Sequence, residues 1–546
     1  MRRAFVVLAV LALAGCATLP TRSPVQVGGP IAIEGQTEVE YLPTGPADGA
    51  TQREILDGFI AAGSAPQNNF RIARSFLTDA AALSWKPAHE TVVHGIYAKV
   101  QNLSSTELQF STTVEATVDE NGVFDASENR AQRQWQFRFA EVNGEWRLAS
   151  VPDLTLVTEV AFASAYDEYT VYFYNRDRTA FVPDVRIFAR QADPVTSVAR
   201  AVVAGPSRYL PDASTAFPEG AALAVAPVEL ADGRAIVDLT EDVAQASIVD
   251  QQEMLSQLGV SLGQLPDVTS TTISVNRNAL SIAAIPGLES NPRVDDRPLI
   301  VYKNRIGFSA GTRIEPLDTN GPRIANLKPT SVSYDGTTHS AAVGTRVGVY
   351  LVSDRTDRIA DRPSIVDPQI DSSRAVWWVD GTAPDAIQIV AGGRHLTVRG
   401  PWSRGATVVG LEVSRENARV AVAVNDKGRG RVFVASVATD DSHRPTGVSG
   451  YRALPVFVDS VLDIAWSDAT HIAVLDATNS VVHAELVTVG GRAVLLGQPQ
   501  NPARISGGNT GVAGLVVLAR NGQLWRPRGA GWQSTGVPAD VLATQH

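Results

Sequence analysis

DPVTSVARAVVAGP, residues 193–206, is the stretch that fixes how the middle of this chain folds. Asp193 suits a helix N-cap and Pro194 the first helical position, where its missing N–H costs nothing. Behind them Val195, Val198, Ala199, Val202 and Val203 form an i, i+3, i+4 stripe that stops at Gly205-Pro206, with Gly205 placed where a left-handed residue closes the last turn. A strand pattern, Tyr169 to Tyr174, precedes this helix. After it come the turn Pro218-Glu219-Gly220, two strand patterns (Ala222 to Val228 and Ala235 to Leu239) joined through Asp232-Gly233, a helical stretch around Gln251 to Leu262, and a strand from Thr272 to Val275. The block, 159–290, has a βαββαβ-like order.

Upstream, residues 45–158 open with two helical patterns. Ile55, Leu56, Phe59 and Ile60 share one face; after Asn69 as the expected cap, Ile72, Phe76, Leu77 and Ala80 share another. The period then changes to two. Leu108, Phe110, Thr112, Val114, Ala116 and Val118 alternate up to Asn121-Gly122, and Trp135, Phe137 and Phe139 alternate up to Asn143-Gly144, with Trp146 and Leu148 beyond. Helices followed by an antiparallel sheet predict an α+β domain.

Downstream, 298–540 carries short apolar strands and no strong helix pattern. Val376 to Val379, Val420 to Val424 and Ile472 to Leu475 each run into a turn. Tyr334-Asp335-Gly336, Asp371-Ser372-Ser373, Arg415-Glu416-Asn417, Trp466-Ser467-Asp468 and Gly507-Gly508-Asn509 each precede a hydrophobic strand at intervals of roughly 40 to 50 residues, the spacing of β-propeller blades. Five to seven blades fit, and a long antiparallel sandwich is the alternative.

The composition narrows the function classes. A net charge of -10 with no Lys/Arg block leaves no electrostatic footprint for nucleic acid. One cysteine in 546 residues excludes an intramolecular disulfide and a thiolate metal cluster. No G-x-S-x-G motif is present. His89-Glu90 and His94 depart from the zincin spacing by one residue, which takes the two histidines off a common helical face. Gly428-x-Gly430 reads as a turn, and Asp238, Glu241 and Asp242 do not follow a calcium-loop spacing, Asp242 being placed at a helix start. Trp85, Trp135 and Trp146 read as core. The expectation is a protein that is not an enzyme, with no catalytic residue, no metal ligand and no cofactor.

The single cysteine lies in Leu13-Ala14-Gly15-Cys16, after Arg2-Arg3 and an apolar run from Ala4 to Ala14 that is too short to span a bilayer. The pattern resembles a bacterial lipobox, which implies cleavage between Gly15 and Cys16 and a lipid on the Cys16 sulfur. Residues 1–15 are then a signal peptide and 16–44, rich in Pro and Gly, a lipidated tether on the extracytoplasmic face of the cell membrane. Cleavage after Ala14 as an ordinary secreted protein is the alternative.

The order of elements in 45–158 resembles the NTF2-like fold. Val171-Tyr172-Phe173, Ala204-Gly205-Pro206, Pro218-Glu219-Gly220, Val237-Asp238-Leu239 and Leu265-Pro266-Asp267-Val268 resemble a GerM-type domain. A lipobox, a tether, these two α+β domains and an all-β propeller, in that order, resemble the LpqB lipoprotein family of actinobacteria. The resemblance implies a multidomain accessory lipoprotein that binds the extracytoplasmic domain of an MtrB-like membrane sensor histidine kinase. It would modulate the MtrA/MtrB two-component system in cell-envelope and division control. An envelope assembly scaffold, or a hydrolase or lyase of envelope polymers, are the alternative functions.

Overall fold

Thr51 and Glu54 close a capping box at the start of α1 (Gln52–Ala62): Glu54 N–H donates to the Thr51 hydroxyl at 3.3 Å and Thr51 N–H donates to the Glu54 carboxylate at 2.8 Å. The computed structural model describes residues 43–546, apart from 128, 129, 191, 192, 312 and 318. α1 buries Ile55, Leu56 and Phe59, the expected face. The second helix departs from expectation. α2 (Gln67–Arg74) begins behind Pro66, and Asn68, Asn69 and Phe70 all have positive φ, so Asn69 is no cap. The chain then leaves the helix, bridges Leu77 to Leu148, and restarts as α3 (Asp79–Ser84) capped by Thr78. Pairing of the main chain around Phe76 and Thr78 with Leu148 competes with a continuous helix and wins locally.

Six strands follow: β1 (Glu90–Ser104), β2 (Glu107–Asp119), β3 (Phe124–Ala126), β4 (Gln132–Val142), β5 (Glu145–Ser150) and β6 (Thr155–Thr158). Their order is β5-β4-β2-β1-β6 with β3 on β2, and β6 runs parallel to β1. Asn143 and Gly144, at φ 56° and 82°, form the two-residue turn between β4 and β5. Phe59, Trp85, Phe110, Trp135 and Phe137 pack between helices and sheet, so the tryptophans serve as core.

The second domain starts with α4 (Glu159–Ala165) and the hairpin β7 (Tyr166–Tyr174) and β8 (Phe181–Ala189). α5 (Pro194–Ala204) has the predicted cap, Asp193 accepting N–H bonds from Val195 at 3.1 Å and Thr196 at 3.2 Å. It ends at Gly205, whose φ 94° is positive as expected but whose ψ 179° lies outside the left-handed helical region. Next come β9 (Glu229–Ala231), β10 (Arg234–Leu239), α6 (Asp242–Gln245), α7 (Ile248–Leu262), β11 (Ser270–Val275) and β12 (Asn278–Ala279). β10 and β11 are parallel, with α6 and α7 in the crossover. The strand expected over 222–228 is an irregular segment with one bridge, Leu223 to Leu239, and pairing resumes only after Pro227, which has no N–H to give a ladder. β8 makes the order richer than the expected βαββαβ.

From Leu299 onward six blades surround a channel. Before Thr544–Gln545 is added, their innermost strands are Val541–Leu542, Ser331–Asp335, Gln369–Ile370, Thr407–Val413, Ser460–Trp466 and Pro502–Ser506. The ring is closed by Val541–Leu542, which pairs with Leu299–Tyr302 and lies beyond residue 540, and Thr544–Gln545 then adds in parallel to Ser331–Asp335. Valines and alanines fill the inter-blade layers, with Trp377 fully enclosed.

Candidate functional site

The quasi-repeat seen in the sequence lies at the turns where innermost strands end. Asp335 accepts the N–H of Thr337 at 2.7 Å, Asp371 that of Ala375 at 2.9 Å, and Asp468 those of Thr470 at 2.8 Å and His471 at 2.9 Å. Asp371 also accepts the Trp377 indole N–H at 3.0 Å. In the fourth blade Glu416 holds the buried Arg419 guanidinium at 2.6 Å. Each acid satisfies turn amides or a buried partner, so the repeat marks a structural device.

Four ionisable groups share the channel. Glu412, Asp463 and Asp367 come from three neighbouring blades, and Arg504 from a fourth binds Asp367 at 3.2 Å. Glu412 is 6% exposed; burial first, and the Asp463 charge second, push its carboxyl well above the usual range. Burial raises Asp463 as well, opposed by Arg504. Convergent carboxylates of this kind are what hydrolysis of a glycan wants. One mouth of the channel, however, is occupied by the protein itself. Thr544 donates to Glu412 at 3.2 Å, Gln545 donates to the carbonyls of Asp295 at 3.2 Å and Arg297 at 2.8 Å, and the His546 ring meets Asn417 at 2.8 Å. Among the described residues no group of His, Cys, Asp or Glu has an arrangement that holds a metal.

The three domains meet around Arg452, on the outermost strand of the fourth blade. It is 5% exposed, its guanidinium lies 4.7 Å from the Tyr209 ring, and it donates to the Phe124 carbonyl of β3. Burial lowers its pKa, and the charges of Asp184 and Asp125 oppose that loss. Asp184 pairs with Arg186 at 2.7 Å and accepts Ser207 N–H at 2.8 Å, while Arg186 donates to Asn121 O at 3.0 Å and Gly205 O at 3.1 Å. Arg208 and the Tyr209 hydroxyl both bind Asp125. Gly450 allows the close approach: a Cβ there would lie 2.6 Å from Pro211 Cδ. Further along the seam, Arg492 binds Glu168 at 3.3 Å and His443 meets Asp177 at 2.6 Å.

Beside that histidine, between the second domain and the propeller, lies a cleft of about 270 Å³ bordered by Arg176, Asp177, Asp212, Arg415, Asn417 and His443. In the N-terminal domain a space of about 10 Å³ remains between Phe59, Trp85 and Phe137. Of the residues singled out in the sequence, His89 lies 3.8 Å from Glu120 on the surface, and His94 is buried with Nδ1 on Gly95 O at 2.8 Å. Asp238 accepts Ser274 Oγ at 2.7 Å, Asp242 opens α6, and Lys427-Gly428 form a two-residue hairpin turn. Leu13, Ala14, Gly15 and Cys16 lie outside the described residues. Arg452, Arg186 and the channel acids carried no local signal in the sequence.

The fold and this seam define a modular protein: a mixed α/β N-terminal region, a GerM-type domain and a C-terminal β-propeller. Residues 45–163 match the model "Lipoprotein LpqB, N-terminal domain", 170–281 "Sporulation and spore germination", and 306–540 "Lipoprotein LpqB beta-propeller domain". The chain belongs to the LpqB lipoprotein family. It is similar to Lipoprotein LpqB of Thermobifida fusca (25% identity, covering 89% of this chain and 88% of that one). It is also similar to that of Streptomyces coelicolor (26% identity, 80% and 79%). Among solved structures, the tandem GerMN domains of the Bacillus subtilis sporulation protein GerM align at 21% identity over 23% of this chain and 48% of theirs, with a TM-score of 0.19. No described helix is long and apolar enough to cross a membrane.

Proposed function

We propose that this chain is a lipid-anchored accessory protein on the extracytoplasmic face of the cell membrane. It binds the extracytoplasmic domain of an MtrB-like sensor histidine kinase and modulates MtrA/MtrB signalling in envelope and division control. Family membership and the lipobox at Cys16 motivate the reading. The observation that carries it is the Arg452 seam, which ties all three domains into one body through buried, charge-assisted contacts. A body of that kind presents a fixed composite surface, as a protein acting by contact requires. Anchoring both partners in one bilayer raises their effective concentration, so a modest affinity is enough.

The carboxylates Glu412, Asp463 and Asp367 favour a second reading, an envelope-polymer hydrolase or lyase. The two separate in one experiment. The full chain and its Glu412→Gln variant are tested for binding to the kinase's extracytoplasmic domain and for release of sugars from purified cell wall. Binding by both, with no sugar release by either, supports the accessory role. Absence of binding together with turnover that Glu412→Gln abolishes would replace it with the enzyme.

A further inference from the structure

Strand β1 is longer than the strand that covers its outer side. Over Thr91–His94 it pairs with β6. From Ala98 to Ser104 only its β2 side has a partner strand among the described residues. A bare edge offers unpaired peptide groups to another strand. Between His94 and Ala98 the register breaks, leaving Gly95, Ile96 and Tyr97 without register partners on β2, where the Thr112 hydroxyl donates to the Tyr97 carbonyl at 3.0 Å. Such bulges re-aim side chains, and here Ile96 is 69% and Tyr97 85% exposed, with Leu103 45% exposed beyond them.

The same edge ends a row of glutamines. Gln101 of β1 stands opposite Gln109 of β2, which stands opposite Gln136 of β4, so the three side chains form one line across one face of the sheet. Amide side chains in such a line stack and bond to one another most fully when the line continues into the next strand.

We propose that the Ala98–Ser104 edge pairs antiparallel with the same edge of a second copy, about a two-fold axis through Gln101. The register follows from the symmetry: Ala98 faces Ser104 of the second copy, Lys99 faces Leu103, and Val100 faces Asn102. No like charges meet, because Lys99 is the only charged residue between Ala98 and Ser104. The glutamine line then runs unbroken from Gln136 of one copy to Gln136 of the other. The bulge carrying Ile96 and Tyr97 lies against the hairpin tip of the second copy, so its apolar surface is covered. A single strand pair buries less than the roughly 1,600 Å² of a standard interface. The dimer is therefore weak in dilute solution and favoured where chains share one membrane surface.

Cysteine cross-linking of the purified full chain tests this. Gln101→Cys places two thiols across the axis, whereas Gln136→Cys, on the same face but two strands away, serves as the control. The proposal expects disulfide-linked dimer to form about tenfold faster for Gln101→Cys, the gain that proximity in a paired edge supplies. It also expects Leu103→Lys, which sets lysines against each other across the axis, to slow that reaction severalfold. Equal rates at the two positions, or indifference to Leu103→Lys, would overturn it. So would amide-exchange protection, in a dilute monomer, of those N–H groups in Ala98–Ser104 that point away from β2, which would mean that the edge is covered from within one chain.

Discussion

The guanidinium of Arg452, in the fourth propeller blade, donates to the main-chain carbonyl of Phe124 in the N-terminal domain, 328 residues earlier. Neither residue stands near the other in any local pattern, and their contact, with Arg492–Glu168 and His443–Asp177, joins separate modules into one body. A buried arginine is retained only where carbonyls and carboxylates surround it, here Phe124, Asp184 and Asp125.

Arg452→Ala therefore removes the cation while leaving Asp184 and the Phe124 carbonyl enclosed. We expect a loss of about 2 to 5 kcal/mol, the cost typical of truncating one side of a buried charged contact. Calorimetry should resolve the single transition of the parent into separate transitions for the propeller and the two preceding domains. One unchanged cooperative peak would show that the seam is held elsewhere.

Gly205→Val tests the backbone at the end of α5. With φ 94° and ψ 179° the position belongs to glycine, and a Cβ there meets nothing within 4 Å, so the cost is conformational alone. About 1 to 3 kcal/mol of destabilisation is expected, visible in thermal unfolding of the full chain. Gly205→Ala should cost a similar amount, because the penalty comes from any Cβ.

Asp476 governs a pH dependence of stability. It is 1% exposed, its Oδ2 has no partner, and its Oδ1 is 3.8 Å from His483 Nδ1. Burial, helped by the Glu485 charge, pushes its carboxyl up to about 7. The folded state thus holds a proton that the unfolded chain releases at an ordinary aspartate pKa of about 3.9. The sign follows: this group's contribution is fully present below the unfolded value and is lost as pH rises towards about 7. Asp476→Asn should reduce the slope of denaturant-measured stability across that window by at most about 1.4 kcal/mol per pH unit, leaving the part owed to Glu412 and Asp463. An undiminished slope in the variant would assign it wholly to those other groups.

Cys16→Ser should leave the fold intact and release the protein from the membrane fraction, since a hydroxyl does not replace the thiol in lipid transfer. Cell fractionation and labelled-lipid incorporation read this directly. Retention of the variant on salt-washed membranes would show that another segment holds it there.

The elements legible in the sequence were those whose signals are local. Asp193-Pro194 capped α5, Asn143-Gly144 turned the hairpin, and alternation from Leu108 to Val118 became β2, because each depends on residues a few positions apart. β8 was missed: Phe181–Ile187 is buried on both faces, so it lacks the polar alternation of a half-buried strand, and Pro183, Asp184 and Arg186 disguise it further. The second N-terminal helix was overextended because pairing with Leu148 overrides helical periodicity at Leu77. The acids of the quasi-repeat were visible, but their bonding to turn amides and buried groups was not, and the convergence of Glu412, Asp463 and Asp367 required the ring to close first.

For the extracytoplasmic location proposed above, that closure has a consequence for export. The first propeller strand, Leu299–Tyr302, finds its inner neighbour only in Val541–Leu542. A polypeptide threaded through a secretion pore with its amino end leading can complete both α+β domains on the far side while the remainder is still in transit. The ring must wait for its last strand. Until then the first blade lacks its inner strand, so the timing of closure is set by the position of one two-residue strand.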